Sequence, residues 1–127
     1  MGDSNLTVKD LAEDVRGRKV LDKEGKEIGS VDDLLIDERE SKVRFLHVES
    51  GGFLGLGQTK VLIPIDAITK ITPDAVQVDH TLAHIAGGPR YHPALITDAA
   101  YWDSIYSHYG DSPYWSLGYM YPAYPWY

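Results

Sequence analysis

Three of the five histidines, His80, His84 and His92, lie close together, and they are the first residues to consider for chemistry. His80-x-x-x-His84 would put two imidazoles on one helical face if "TLAHI" is helical, a spacing that suits zinc. Structural zinc normally takes four ligands, and Asp79 is the one obvious addition. The three histidines therefore stand as the candidate ligands of a site predicted to hold no metal. Asp32, Asp33, Asp37, Glu38 and Glu40 form an acidic run. Paired carboxylates do acid–base work only when their environments separate their pKa values. In an edge turn they are solvated and discourage edge-to-edge association. Ser107 and His108 are sequence neighbours, and such neighbours on a helix do not face one another. There is no cysteine, which removes thiolate nucleophiles, disulfides and Cys-containing zinc sites together. The sequence predicts no catalytic residue and no cofactor.

The segment "GGFLGLGQTKVLIPID", Gly51 to Asp66, places four glycines in seven positions. Phosphate-binding loops need a helix N-terminus behind the glycines, where free N–H groups and the helix dipole favour an anion. Gly52, Gly55 and Gly57 spell G-x-x-G-x-G, no Gly-Lys-Ser/Thr follows, and the next run has β character. The segment is read as a barrel corner in which Phe53, Leu54 and Leu56 fold over an open end. A ligand site at this corner would draw on His47 and Glu49.

The first half alternates short β-rich runs with turns. "KVLD" is a strand, and "DKEG" is a turn in which Gly25 takes positive φ. "EIGSVDDLLID" is one long strand with a bulge near Asp32 and Asp33, because its apolar phase slips there. "KVRFLHVE" is apolar on both faces, which places it inside a sheet. "KVLIPIDAI" carries Val61, Ile63 and Ile65 on one face, with Pro64 at an edge or bend. "ITKIT" and "AVQVD" complete about six strands, so the predicted core is all-β.

All nine Tyr and all three Trp lie from Tyr91 onward, whereas all twelve basic residues fall at or before Arg90. This shift and the punctuation of "AGGPRYHP" divide the chain into a flexible N-terminus (1–10), a β domain (11–85) and an aromatic extension (86–127). In "TDAAYWDSIYSHYG", Thr97 is the predicted N-cap and Gly110 the stop, with a helix near 98–109. Trp102, Ile105, Tyr106 and Tyr109 form its apolar stripe. The residues after Asp111 are expected to be extended. The chain carries 12 basic and 19 acidic side chains, a net charge of -7, which disfavours nucleic acid and anionic membranes. It shows neither a secretory leader nor the roughly 18 apolar residues of a membrane span, so the expectation is a cytoplasmic protein.

"VRGRKVLDKEGKEIGSVDDLLIDERESKVRFLHVE", "GGFLGLGQTKVLIPIDAI" and "DAVQVD" together resemble the PRC-barrel domain family. The points of resemblance are the strand-turn-strand with Gly25 and Gly29, the "LLID" after it, and Pro64. The family includes the photosynthetic reaction-centre H subunit and a ribosome-maturation factor. The resemblance implies a small closed β-barrel used for docking. "HIAGGPRYHP", a helix ending "YG" and then "PYW" also resemble stand-alone bacterial members.

The reading that follows is a non-enzymatic interaction module. It self-associates, with a dimer favoured, or docks an unknown protein through Trp102, Ile105, Tyr106, Tyr109, Tyr114 and Trp115. The alternatives are a small-ligand or metal-binding barrel and, by family analogy, a ribosome-associated assembly module.

Overall fold

The computed structural model describes residues 15–37, 42–51, 58–95, 98–122 and 124. Its six strands are β1 (Lys19–Leu21), β2 (Glu27–Asp37), β3 (Lys42–Gly51), β4 (Gln58–Pro64), β5 (Ile68–Ile71) and β6 (Ala75–Val78). Two helices follow, α1 (Leu82–Ala86) and α2 (Ala99–Tyr109). Neither is long and apolar enough to cross a membrane. The strands form one mixed sheet in the order β4-β3-β2-β1-β6-β5. Among the described residues only β1 and β6 pair in parallel, and the other ladders are antiparallel.

The connection from β4 to β5 sets the curvature. These are the two edge strands, yet only Ile65–Ala67, a single 3-10 turn, lies between them. Six strands laid flat would separate the edges by about 24 Å. Four peptide steps from Pro64 to Ile68 span at most about 14 Å. The sheet must therefore roll until its edges approach. No ladder joins β4 to β5 among the described residues, so the closed barrel expected from the sequence is met as a rolled, open sheet.

Alternation along the strands assigns two faces. Leu34, Leu46 and Ile63 are aligned on one face, as are Val31, Val48 and Val61, and all are buried. Leu35, Phe45 and Pro64 are aligned on the other face, as are His47 and Leu62. Leu35, Phe45 and Leu62 are buried as well, so the outer face also needs a cover.

The register shift between Val31 and Asp33 is the bulge predicted from the apolar phase, and Asp32 is the residue left out of the ladder. A second shift lies between Leu35 and Ile36. Pro64 ends the edge strand β4 and enters the 3-10 turn, where its missing N–H costs no ladder bond. Gly29, by contrast, is not a turn residue: it is buried within β2 opposite Val20. Gly52, Gly55 and Gly57, with Phe53, Leu54 and Leu56, lie outside the described residues.

The β1–β2 turn is built around a buried carboxylate. Gly25 has φ 85, as its place in "DKEG" requires. Asp22 Oδ1 accepts from the backbone N–H groups of Glu24 (2.9 Å) and Lys26 (2.8 Å). Its Oδ2 accepts from Leu82 N–H (3.0 Å), the first residue of α1. One side chain thus closes a local turn and anchors a distant helix. Burial opposes the charge on Asp22, but these backbone donors outweigh it and hold the carboxyl below its ordinary value. A carboxyl lowered in this way stabilises the fold above its ordinary pKa and ceases to do so as the pH falls through the lowered value. Asp22→Ala is expected to cost about 2–3 kcal/mol at neutral pH, since three N–H groups lose their acceptor. The difference from wild type should shrink in acid, as measured by urea denaturation at several pH values.

Candidate functional site

The outer sheet face is covered by the chain's own aromatic segment. The path begins at Arg90, which makes a single bridge to Val61 on the β4 edge, followed by Tyr91 N–H donating to the Lys60 carbonyl (2.9 Å). Arg90 Nη1 donates to the carbonyls of Ala86 (2.7 Å) and Gly88 (3.1 Å), which fixes the turn after α1. Tyr101 hydroxyl donates to the Arg90 carbonyl (2.7 Å) and accepts from His92 N–H (3.1 Å), tying α2 to this linker. The α2 N-cap is Asp98, one residue later than predicted. Its carboxylate accepts from Ala100 N–H (2.9 Å), placing negative charge at the positive helix end. Gly110 closes the helix at φ 72.

The predicted stripe is the packing face of α2. Trp102, Ile105, Tyr106 and Tyr109 are all buried. Phe45 lies 5.1 Å from the rings of both Trp102 and Tyr106. In the monomer these four side chains are contacts within the chain and offer no surface to a partner.

The segment after Gly110 is held largely by side-chain tips. Arg44, buried on β3, lies 4.2 Å from the Tyr114 ring and 5.5 Å from the Tyr121 ring. Lys42 lies 4.4 Å from the Tyr121 ring. Tyr119 hydroxyl donates to the Asp66 carboxylate (2.7 Å), and Tyr121 hydroxyl donates to the Val43 carbonyl (3.0 Å). Trp115 meets Tyr106 and Tyr114 edge-on at 5.7 and 5.1 Å. Trp115 remains 50% exposed, Leu117 105% and Met120 84%. These three are the large apolar side chains the segment shows to solvent among its described residues. Leu117 and Met120 were not among the residues singled out in the sequence, which pointed to rings.

Burial raises the carboxyl of Asp66, while the Tyr119 hydroxyl and the Arg44 charge pull it down. Burial, reinforced by the charges of Asp66 and Asp79, pushes Asp111 up to about 6. Burial likewise raises the phenols of Tyr106 and Tyr109, whose hydroxyls lack hydrogen-bond partners among the described residues.

The histidines regroup. His80 and His84 stack at 4.9 Å, but the next ring is His108, 4.1 Å from His84, while His92 is exposed and apart. Stacked rings hold their lone pairs in parallel planes, whereas a tetrahedral ion needs them to converge. The Nε2 atoms of His84 and His108 are already engaged with backbone carbonyls. No group of three metal-ligating side chains has metal-holding geometry among the described residues.

His47 Nδ1 is 3.3 Å from Asp32 Oδ2, which the bulge turns toward it, and Lys60 Nζ is 3.3 Å from the same oxygen. The His47 ring packs 4.4 Å from Tyr91 and is only 7% exposed, so a ligand from solvent has no direct access to it. Burial lowers its pKa, against the pull of Asp32. A shallow cleft of about 660 Å³ is lined by Arg16, Arg18, Lys19 and Asp74. Its cations have partners within the chain: Arg18 donates to the Thr72 carbonyl (3.0 Å), Lys19 pairs with Glu27 (3.7 Å), and Arg16 is also engaged.

The rolled six-stranded sheet, with its Asp22 turn and Pro64 at the strand end, is matched by the sequence model of the PRC-barrel domain over residues 8–84. The chain belongs to the PRC-barrel family. The match takes in every strand and stops within α1, before the aromatic segment. A search of curated proteins gives no match. The layer over the outer face of this PRC-barrel sheet is thus contributed by residues beyond the family match.

Two measurements separate packing from surface. Trp102→Ala is expected to destabilise by about 3–5 kcal/mol and Trp115→Ala by about 1 kcal/mol or less, read by thermal or urea unfolding. Because Asp111 binds its proton more tightly when folded, the fold loses stability as pH rises from the ordinary carboxyl range through about 6. Asp111→Asn should therefore stabilise the chain at neutral pH by about 1 kcal/mol after allowance for solvent screening. Near the ordinary carboxyl pKa it should have little effect, as checked by unfolding at both pH values.

Proposed function

We propose that the chain is a non-enzymatic docking module, a PRC-barrel sheet and aromatic layer that present Trp115, Leu117 and Met120 to a second copy of the chain. The observation that carries this reading is the exposure of these three side chains, 50%, 105% and 84%, within a segment otherwise folded back on the sheet. The charge pattern supports the choice of partner. Copies bearing -7 repel one another over most of their surface, but no side chain after Asp111 is formally charged. A symmetric contact through this segment juxtaposes no like charges. Aromatic and Met side chains are enriched in such interfaces, where they supply contact area at low entropic cost.

Three side chains do not by themselves cover the roughly 1,200 Å² of a standard stable interface, so the dimer is expected to be weak and concentration-dependent. Light scattering and sedimentation of the full chain across a wide concentration range should show a mass rising from monomer toward dimer. A triple Trp115→Ser, Leu117→Ser, Met120→Ser variant should stay monomeric and folded, with its unfolding temperature lowered by no more than about 5 °C. A wild type that is monomeric throughout, or a variant that dimerises equally well, would count against the reading. The first outcome would leave the patch to a different protein partner.

A further inference from the structure

His47 lies on the outer sheet face, beneath the first ring of the aromatic segment. It sits on β3 between Asp33 of β2 and Leu62 of β4. Its ring meets the Tyr91 ring at 4.4 Å with the planes 58° apart, and only 7% of the residue is exposed. Tyr91 is brought there by its backbone. Its N–H donates to the Lys60 carbonyl (2.9 Å), and Arg90 before it bridges to Val61. A single bridge at a strand edge therefore holds the cover of His47 to β4. On the ring itself, Nδ1 is 3.3 Å from Asp32 Oδ2, while Nε2 is buried and has no hydrogen-bond partner among the described residues.

The carboxylate fixes the tautomer. It only accepts, so Nδ1 carries the hydrogen and the buried Nε2 carries the lone pair. A proton added to the ring must enter at Nε2. There it makes an N–H that faces no acceptor, and it places a charge where water does not reach. The carboxylates around the ring offset this cost only in part. Asp32 is the nearest, but the same Oδ2 lies 3.3 Å from Lys60 Nζ, and the Asp32 side chain is 39% exposed, so solvent screens the pair. Asp33 Oδ1 accepts from the Leu34 N–H (2.8 Å), and Glu49 acts on the ring from its own strand. Lys60, on β4, opposes a second positive charge. Burial outweighs the three carboxylates and holds the imidazole below its ordinary value.

We propose that His47 makes the Tyr91 cover acid-releasable: the neutral ring clasps the entry of the aromatic segment to β4, and a ring that gains a proton displaces Tyr91 and turns to water. The closed linker holds the neutral ring, so it is fully stable above the ordinary histidine value. Below that value the ratio of closed to open linker falls by up to about tenfold per pH unit, until the buried ring itself takes the proton. Release uncovers the β4 edge at Lys60 and Val61 and the outer face at Leu62. Helix α2 stays in place, because Phe45 holds Trp102 and Tyr106. The clasp is independent of the docking reading, since Tyr91 precedes α2 and the docking side chains follow it.

The test is an NMR titration of the full-length chain from about pH 8 to about pH 4. The His47 ring should titrate below about 6.5, the ordinary histidine value. With the same midpoint, the proton–proton contact between the His47 and Tyr91 rings should vanish and the Tyr91 amide should leave its native position. The amides of β2 and β3 should stay native through that step. In Tyr91→Ala, which removes the cover, the His47 midpoint should rise toward the ordinary value. In His47→Phe, whose ring cannot titrate, the Tyr91 amide should keep its native position at pH values where the wild type has opened. A wild-type His47 midpoint at or above the ordinary value would overturn the proposal. So would a Tyr91 contact that persists at every pH at which the chain is folded, or a His47 midpoint unchanged in Tyr91→Ala. Opening of His47→Phe at the wild-type pH would do the same. The wild-type titration decides the matter even if a substituted chain does not fold.

Discussion

The structure depends on burying both faces of β3. Leu46 and Val48 take one face and Phe45 the other, and all three are buried. A rolled sheet can fill its own inside, but it cannot cover its outside. The apolar area of Leu35, Phe45 and Leu62 left to water would forfeit about 1.5–3 kcal/mol per side chain, a large part of the margin by which small domains are stable. The aromatic segment supplies this cover, with Trp102 and Tyr106 of α2 packed on Phe45 of β3.

The polar groups in this layer set position rather than strength. Tyr rings pack in many ways on an apolar face. The hydroxyls of Tyr119 and Tyr121 each find one acceptor, and Arg44 lies beside two rings. These contacts give a segment with little regular structure a single register. The raised carboxyls of Asp66 and Asp111 show the cost of that specificity: burial raises both, and at Asp111 the charges of Asp66 and Asp79 add to it.

The β elements were readable in the sequence because their determinants are local. The alternation of apolar residues, the "DKEG" turn with its positive-φ glycine and the slip in phase around Asp32 all act within a few residues. Pro64 could be placed for the same reason, since a residue without an N–H has few positions in a sheet. The destination of the aromatic rings was harder to read. The stripe on α2 was visible, and so was the two-faced apolarity of "KVRFLHVE", but matching one to the other is a relation across more than fifty residues. The pairing of His108 with His84 is hidden for the same reason: His92 is nearer in the sequence, while the fold brings α2 back against α1. Gly29 looked like punctuation because glycine usually is, yet here it is a buried strand residue.

The Asp22 carboxylate has a consequence for how the chain reaches this state. Two of its acceptor bonds close a turn within four residues, but the third waits for Leu82, sixty residues away. The parallel pairing of β1 with β6 carries a similar sequence separation. The hairpin of β1 and β2 is closed by local contacts, and it holds a second carboxylate oxygen whose backbone donor is the N–H at the start of α1. Long loop closure is what slows folding in chains of this size. The turn at Asp22 thus ties a contact made within four residues to one that must close a loop of sixty, so a single side chain belongs both to the local hairpin and to the long-range topology.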